Sequence, residues 1–180
     1  NNSLDFMDGY IKDIIESTIE LCPVYKINFA FYERYGSKGF KILENIQNYI
    51  GDNAITIADA KRGDIGNSSK YYAEAIFKHF NFDSITVSPY MGEDSIEPFI
   101  SYEKKGVFVL TLTSNKGSSN LQKKYCEDKE IYKHVIDMVN SLNENNNIGL
   151  VIGATNSKYL DEISSISSNL PWLMPGIGFQ

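Results

Sequence analysis

Long apolar runs are missing from this sequence: none approaches the ~18 residues that a membrane-crossing helix requires. Cysteine is scarce. Cys22 and Cys126 fit no metal-ligand spacing and are too few for a disulfide framework, which favours a reducing compartment. Histidine is scarcer in effect, since His79 and His134 stand isolated on predicted helices and read as surface or core residues rather than ligands. Basic charge is also short. Seventeen Lys and Arg face twenty-three Asp and Glu, and the net charge of −6 argues against a nucleic-acid binder or an acidic-membrane binder. An anionic ligand would need local donors instead, such as backbone N–H groups or one well-placed lysine. No basic, apolar leader is recognisable, so the expectation is a cytoplasmic protein. In that compartment the acceptor tripeptides Asn1-Asn2-Ser3 and Asn67-Ser68-Ser69 read as chance.

What is present is an ordinary globular composition, 42% apolar and 22% charged, in a chain long enough for one sizeable core. Phe6, Met7, Tyr10, Ile11, Ile14 and Ile15 recur at helical spacing within residues 3–21, and Pro23 ends that helix. Val24–Ala30 alternates like a strand, with Lys26 and Asn28 on one side. Taken alone, Lys26 reads as solvent-facing. Further strands are expected at Ile55, Ser84–Ser88, Val107–Leu112, Ile148–Ile152 and Leu170–Met174. Helices are expected at about Gly39–Ile50, up to Phe80, near Ser95–Lys104, over 127–144 and over Asn156–Ile166. Six strands alternating with six helices predict an α/β fold with a parallel sheet covered by helices.

Polar residues gather after the strands: Lys26 and Asn28, Asp59–Asp64, Ser88–Tyr90, Thr113–Asn120 and Gly176–Gln180. The carboxyl ends of parallel strands are where active sites of such folds lie. A (β/α)8 TIM barrel has eight strands. Residues 1–180 are therefore expected to form a single barrel domain holding strands 2–7, with the first and last strands missing.

The densest polar cluster is Ile55–Ser69. An apolar run leads into Asp59, Lys61 and Asp64, and Gly63 and Gly66 mark a turn. On an extended backbone Asp59 and Lys61 point the same way. Asn67 or Ser68 is expected to cap the following helix, which carries Tyr71, Ala75, Ile76 and Phe80. Two carboxylates and an ammonium at one strand end suit a structural ion pair, a Mg²⁺ site or an acid–base centre.

With these segments placed, the chain resembles the orotidine 5′-phosphate decarboxylase family along essentially its whole length. Asp59-Ala60-Lys61-Arg62-Gly63-Asp64-Ile65-Gly66 is similar to the family's Asp-x-Lys-x-x-Asp motif in its fuller form. Lys26-Ile27-Asn28, Thr86–Gly92, Thr113–Gly117, Val151–Thr155 and Pro175–Gln180 resemble one branch of it. The resemblance implies that Lys26, Asp59, Lys61 and Asp64 form an alternating charge network. It implies a homodimer in which Asp64 reaches the neighbouring subunit's site, with Ile65 and Ser68 on the crossing segment. Asn28 would lie near the ribose, Ser114 near the pyrimidine, Pro175 against the base and Gln180 near the phosphate. Gly176 and Gly178 would let the backbone approach phosphate oxygens.

The family's ribose-binding Asp would precede residue 1, and its phosphate-gripping Gly-Arg pair would follow residue 180. Phe179 stands where small residues are usual. The implied reaction converts orotidine 5′-phosphate to uridine 5′-phosphate and CO₂ with no metal or organic cofactor. Lys61 would stabilise and protonate the carbanion, and the flanking acids would keep it charged. The Thr113–Asn120 loop is the candidate lid. A fusion to orotate phosphoribosyltransferase is compatible with the sequence. Two rival readings are a Mg²⁺-dependent sugar-phosphate decarboxylase or lyase on the same barrel, and a non-catalytic fragment that binds a nucleotide phosphate.

Overall fold

The structure, a computed structural model, describes residues 2–167 and 169–178. Its helices are α1 (Asn2–Thr18), α2 (Ala30–Glu33), α3 (Ser37–Ile50), α4 (Gly66–Glu74), α5 (Glu97–Ile100), α6 (Ser118–Leu121), α7 (Ile131–Leu142) and α8 (Leu160–Ile166). Its strands are β1 (Val24–Asn28), β2 (Ile55–Arg62), β3 (Ser84–Val87), β4 (Gly106–Leu112), β5 (Tyr125–Cys126), β6 (Lys129–Glu130), β7 (Ile148–Ile152) and β8 (Trp172–Leu173). Six of the strands join one sheet in the order β1-β2-β3-β4-β7-β8, and β5 and β6 form a separate antiparallel pair. Strand order that follows chain order, with helices between, is the topology of a (β/α) barrel segment. None of the described helices is long and apolar enough to cross a membrane.

The chain divides into two compact units. The first runs up to Ala60 and includes Tyr71–Ile85. In it β1 lies parallel to β2, with Val24 opposite Ile55 and Asn28 opposite Asp59. Ile42, Leu43, Ile46 and Ile50 recur at helical spacing and bury one face of α3. Phe29 meets Phe80 edge-on at 5.7 Å and Phe82 at 5.4 Å, a geometry that suits aromatic quadrupoles. Asp83 Oδ2 accepts from Thr56 N at 2.8 Å and Thr56 Oγ1 at 2.9 Å, which satisfies buried donors where β2 begins.

The second unit comprises Lys61–Lys70 and the chain from Thr86 onward. β4 lies parallel to β7, and β7 lies parallel to β8. Every residue of β7 is buried, as its unbroken apolar run requires. Val107, Val109 and Leu112 of β4 and Ile136 and Val139 of α7 bury with it.

Several expected boundaries shift. α1 stops at Thr18, and β1 stops at Asn28 because Asn28 Oδ1 accepts Ala30 N at 3.0 Å and turns the chain into α2. β2 extends through the charged residues to Arg62. α4 starts at Gly66, so Asn67 and Ser68 lie in its first turn rather than capping it. It then widens into a π-helix over Ala75–His79, which buries Ile76 and Phe77 and leaves Tyr71 63% exposed. In place of the longer helix expected there, a 3-10 turn over Glu93–Ser95 precedes a short α5 with Pro98 in its first turn.

Candidate active site

The charged residues fall at the carboxyl end of β1, at the carboxyl end of β2 and in the turn after β2. Asp59 belongs to the first unit and Lys61 to the second. In the first, Lys26 Nζ donates to Asp59 Oδ2 at 3.0 Å, and the Asp59 side chain is only 10% exposed. A lysine that reads locally as solvent-facing is thus tied to a nearly buried carboxylate, which needs a partner there. The pair follows from the register: Lys26 opposes Ile57, so Asp59, two residues on, is its diagonal neighbour. Asn28 is half-buried, and its Oδ1 is taken by the Ala30 amide.

In the second unit, Lys61 adopts φ +47°. This left-handed conformation costs a residue with a Cβ about 1–2 kcal/mol. The backbone kinks at Lys61, where the sequence alone reads as simple alternation along an extended strand. The kink is held by the buried Thr86, whose Oγ1 accepts Lys61 N at 3.0 Å. Ser88 N donates to Arg62 O at 2.7 Å, and a Cβ on Gly63 would come within 3.1 Å of Ser88 Cβ. Strain held by surrounding contacts is characteristic of functional segments. Lys61 is exposed, whereas Asp64 is half-buried and accepts the Ile65 amide at 2.8 Å through Oδ1. Ile65 is 53% exposed and Ser68 is exposed.

Further along the same unit, Ser114 is half-buried and its carbonyl accepts Thr155 Oγ1 at 3.3 Å. Pro175 O accepts Ala154 N at 2.9 Å. Gly176 and Gly178 adopt φ +92° and +101°, and open space surrounds the missing Cβ of Gly178. Its requirement for glycine is therefore conformational rather than steric. Phe179 and Gln180 lie outside the described residues. The candidate lid is shorter than expected, because α6 takes up Ser118–Leu121.

The family model of the "Orotidine 5'-phosphate decarboxylase / HUMPS family" matches residues 2–180. The chain belongs to this family. A curated orotidine 5′-phosphate decarboxylase of Dehalococcoides mccartyi strain BAV1 is 49% identical over 173 residues, 94% of this chain and 64% of that protein. The chain thus spans 64% of the length of that relative. The solved OMP decarboxylase of Leishmania donovani superposes with a TM-score of 0.93 at 40% identity, covering 97% of this chain and 70% of that one. A Leishmania donovani UMP synthase gives 0.94 at 40% identity, covering 98% of this chain and 40% of that one. The α/β barrel topology expected from the sequence is thus that of solved orotidine 5′-phosphate decarboxylases.

A cleft of about 770 Å³ lies elsewhere, lined by Pro23, Glu44, Ile55, His79 and Asp83 at the amino ends of β1 to β3. Family membership and the run of charged residues both favour the carboxyl ends over this cleft as the site of chemistry. His79 is tied there to Glu44 at 3.0 Å, and His134 Nε2 pairs with Cys126 O at 2.9 Å. Sequence reasoning missed Thr86 as the group that holds Lys61 N: it lies in the Thr86–Gly92 segment, but within a strand of buried residues that gives no sign of the contact.

Proposed function

We propose that this chain carries the chemistry of orotidine 5′-phosphate decarboxylation, forming uridine 5′-phosphate and CO₂ in pyrimidine biosynthesis. The observation that carries the proposal is Lys61. In sequence Lys61 stands between Asp59 and Asp64, inside the family's own motif, and its backbone conformation is strained. Breaking the C6–carboxylate bond leaves its electron pair on C6, and no adjacent carbonyl can delocalise that pair. A fixed ammonium lowers the energy of the developing charge, and its N–H then supplies the proton that C6 requires. Lys26 neutralises Asp59, so Asp59 can sit nearly buried without unfolding the strand end. A carboxylate there would also repel the substrate's own carboxylate before the bond breaks.

The remaining groups bind. The amide nitrogen of Asn28 is the donor left for a ribose hydroxyl, since its oxygen serves Ala30. Ser114 would meet the pyrimidine, Pro175 would pack on it, and the backbone of Gly176 and Gly178, with Gln180, would approach the phosphate. Phosphate contacts do no chemistry, but their binding energy aligns the base over Lys61. Segments of the longer relatives beyond the matched region would supply the remaining walls around Lys61, and residues 1–180 would form part of one barrel domain. The functional unit would be a cytoplasmic homodimer sharing Asp64, with Ile65 and Ser68 on the crossing segment. The Leishmania UMP synthase match supports a fused orotate phosphoribosyltransferase as one arrangement of such a chain.

The reaction would need neither metal nor organic cofactor. Decarboxylation followed by ultraviolet absorbance on the complete protein, with and without EDTA, tests this. Turnover unchanged by EDTA is expected, and loss of activity that Mg²⁺ restores would favour a metal-dependent lyase instead.

A further inference from the structure

The segment after β7 grips the loop after β4. Asn156 is 95% buried, since only 5% of its surface remains exposed. Its Nδ2 donates to Thr113 O at 3.1 Å and Leu112 O at 3.4 Å, and its Oδ1 accepts Lys123 Nζ at 3.0 Å. From the other side Gln122 Oε1 accepts Thr113 N at 2.8 Å, and Gln122 Nε2 donates to Thr113 Oγ1 at 2.9 Å. Gly153 N donates to Leu112 O at 2.7 Å. A Cβ on Gly153 would stand 2.5 Å from Ser114 N, so the two backbones are in direct contact.

Asn156, Gln122 and Gly153 all reach the Leu112–Thr113 backbone immediately before Ser114, while Lys123 and the Thr113 hydroxyl hold the other ends of the two amides. Both ends of the Asn156 amide and both ends of the Gln122 amide are used, so either side chain fits in one orientation only. Between them the two amides serve the half-buried N–H and C=O of Thr113, where the chain turns out of β4.

We infer that Asn156 and Gln122 are positioning residues: together they clasp the Leu112–Thr113 backbone and so fix where Ser114 stands. This rests on the reading of Ser114 as the residue that meets the pyrimidine. The clasp acts through the Ser114 backbone, and neither amide touches substrate. Without it the loop out of β4 samples several positions, and substrate affinity falls by the fraction of time Ser114 is misplaced.

Asn156→Ala and Gln122→Ala in the complete protein test it, read by amide hydrogen exchange over 113–118 and by KM and kcat for orotidine 5′-phosphate. Both variants are expected to exchange faster at those amides and to raise KM about tenfold. In a Ser114→Ala background the same changes should raise KM less than about twofold, because the contact they position is already gone. Exchange at wild-type rates in a folded variant overturns the clasp. A KM effect of equal size in both backgrounds overturns its action through Ser114. Gln122 is half-buried, so its variant keeps the test decisive if Asn156→Ala does not fold. Absence of decarboxylation in the wild type would reject the functional reading alone, and exchange would still decide the clasp.

Discussion

Lys61 is where backbone and chemistry meet. At φ +47° it occupies a region that glycine enters freely and β-branched residues resist most. Replacing it by Gly removes the strain but adds unfolded-state entropy, and the two terms are of similar size. Replacing it by Val keeps the strain and increases it. Urea unfolding should therefore place Lys61→Val about 1–2 kcal/mol below Lys61→Gly in stability. Equal midpoints would contradict a strained position 61. The strain was not legible in the sequence. Asp59-Ala60-Lys61 reads as plain alternation, and the Thr86 hydroxyl that accepts Lys61 N lies twenty-five residues away. The Lys26–Asp59 pair was hidden for a related reason: the two residues stand thirty-three apart, and strand register brings them together.

At the level of elements, β7 was fully legible, because an unbroken apolar run bounded by turn residues admits one reading. The helix expected near Ser95–Lys104 was not, because the chain after Ile100 closes turn-type bonds, Tyr102 N to Phe99 O and Lys105 N to Tyr102 O, instead of continuing the helix. The hairpin of β5 and β6 was missed, since two-residue strands carry no periodic signal. Gly153 offers a test of element packing. A methyl there would meet the Ser114 backbone at 2.5 Å, so Gly153→Ala should cost roughly 2–3 kcal/mol, read by urea unfolding. A neutral result would contradict the close approach of β7's end to the β4 loop.

The junction of α7 and α8 adds a pH dependence. Lys133 pairs with Glu130 at 2.9 Å and also with Glu162, while the buried Tyr132 donates to Glu162 at 3.1 Å. The Lys133 ammonium holds the Glu130 carboxyl below its ordinary range, and burial opposes it. A carboxyl depressed in the folded state contributes stability above its unfolded value, which is lost as pH falls through the lower folded value. Wild type should therefore lose more stability between about pH 5 and pH 3 than Lys133→Met does. Parallel pH profiles in the two proteins would contradict the pairing.

For the whole molecule, the barrel topology was legible because alternation and strand-end polarity both come from local sequence. What surrounds Lys61 was not, because it depends on contacts from other strands, such as the one with Thr86. If Asp64 serves a neighbouring subunit, mixing Lys61→Ala with Asp64→Ala protein should recover about a quarter of wild-type activity at equal amounts, from dimers holding one intact site. No recovery in verified mixed dimers would contradict sharing. The most direct measurement is the rate of orotidine 5′-phosphate decarboxylation by the complete protein beside its folded Lys61→Ala variant. The account predicts turnover in the first and a loss of at least about 10³-fold in the second. A variant that decarboxylates at near wild-type kcat would contradict it.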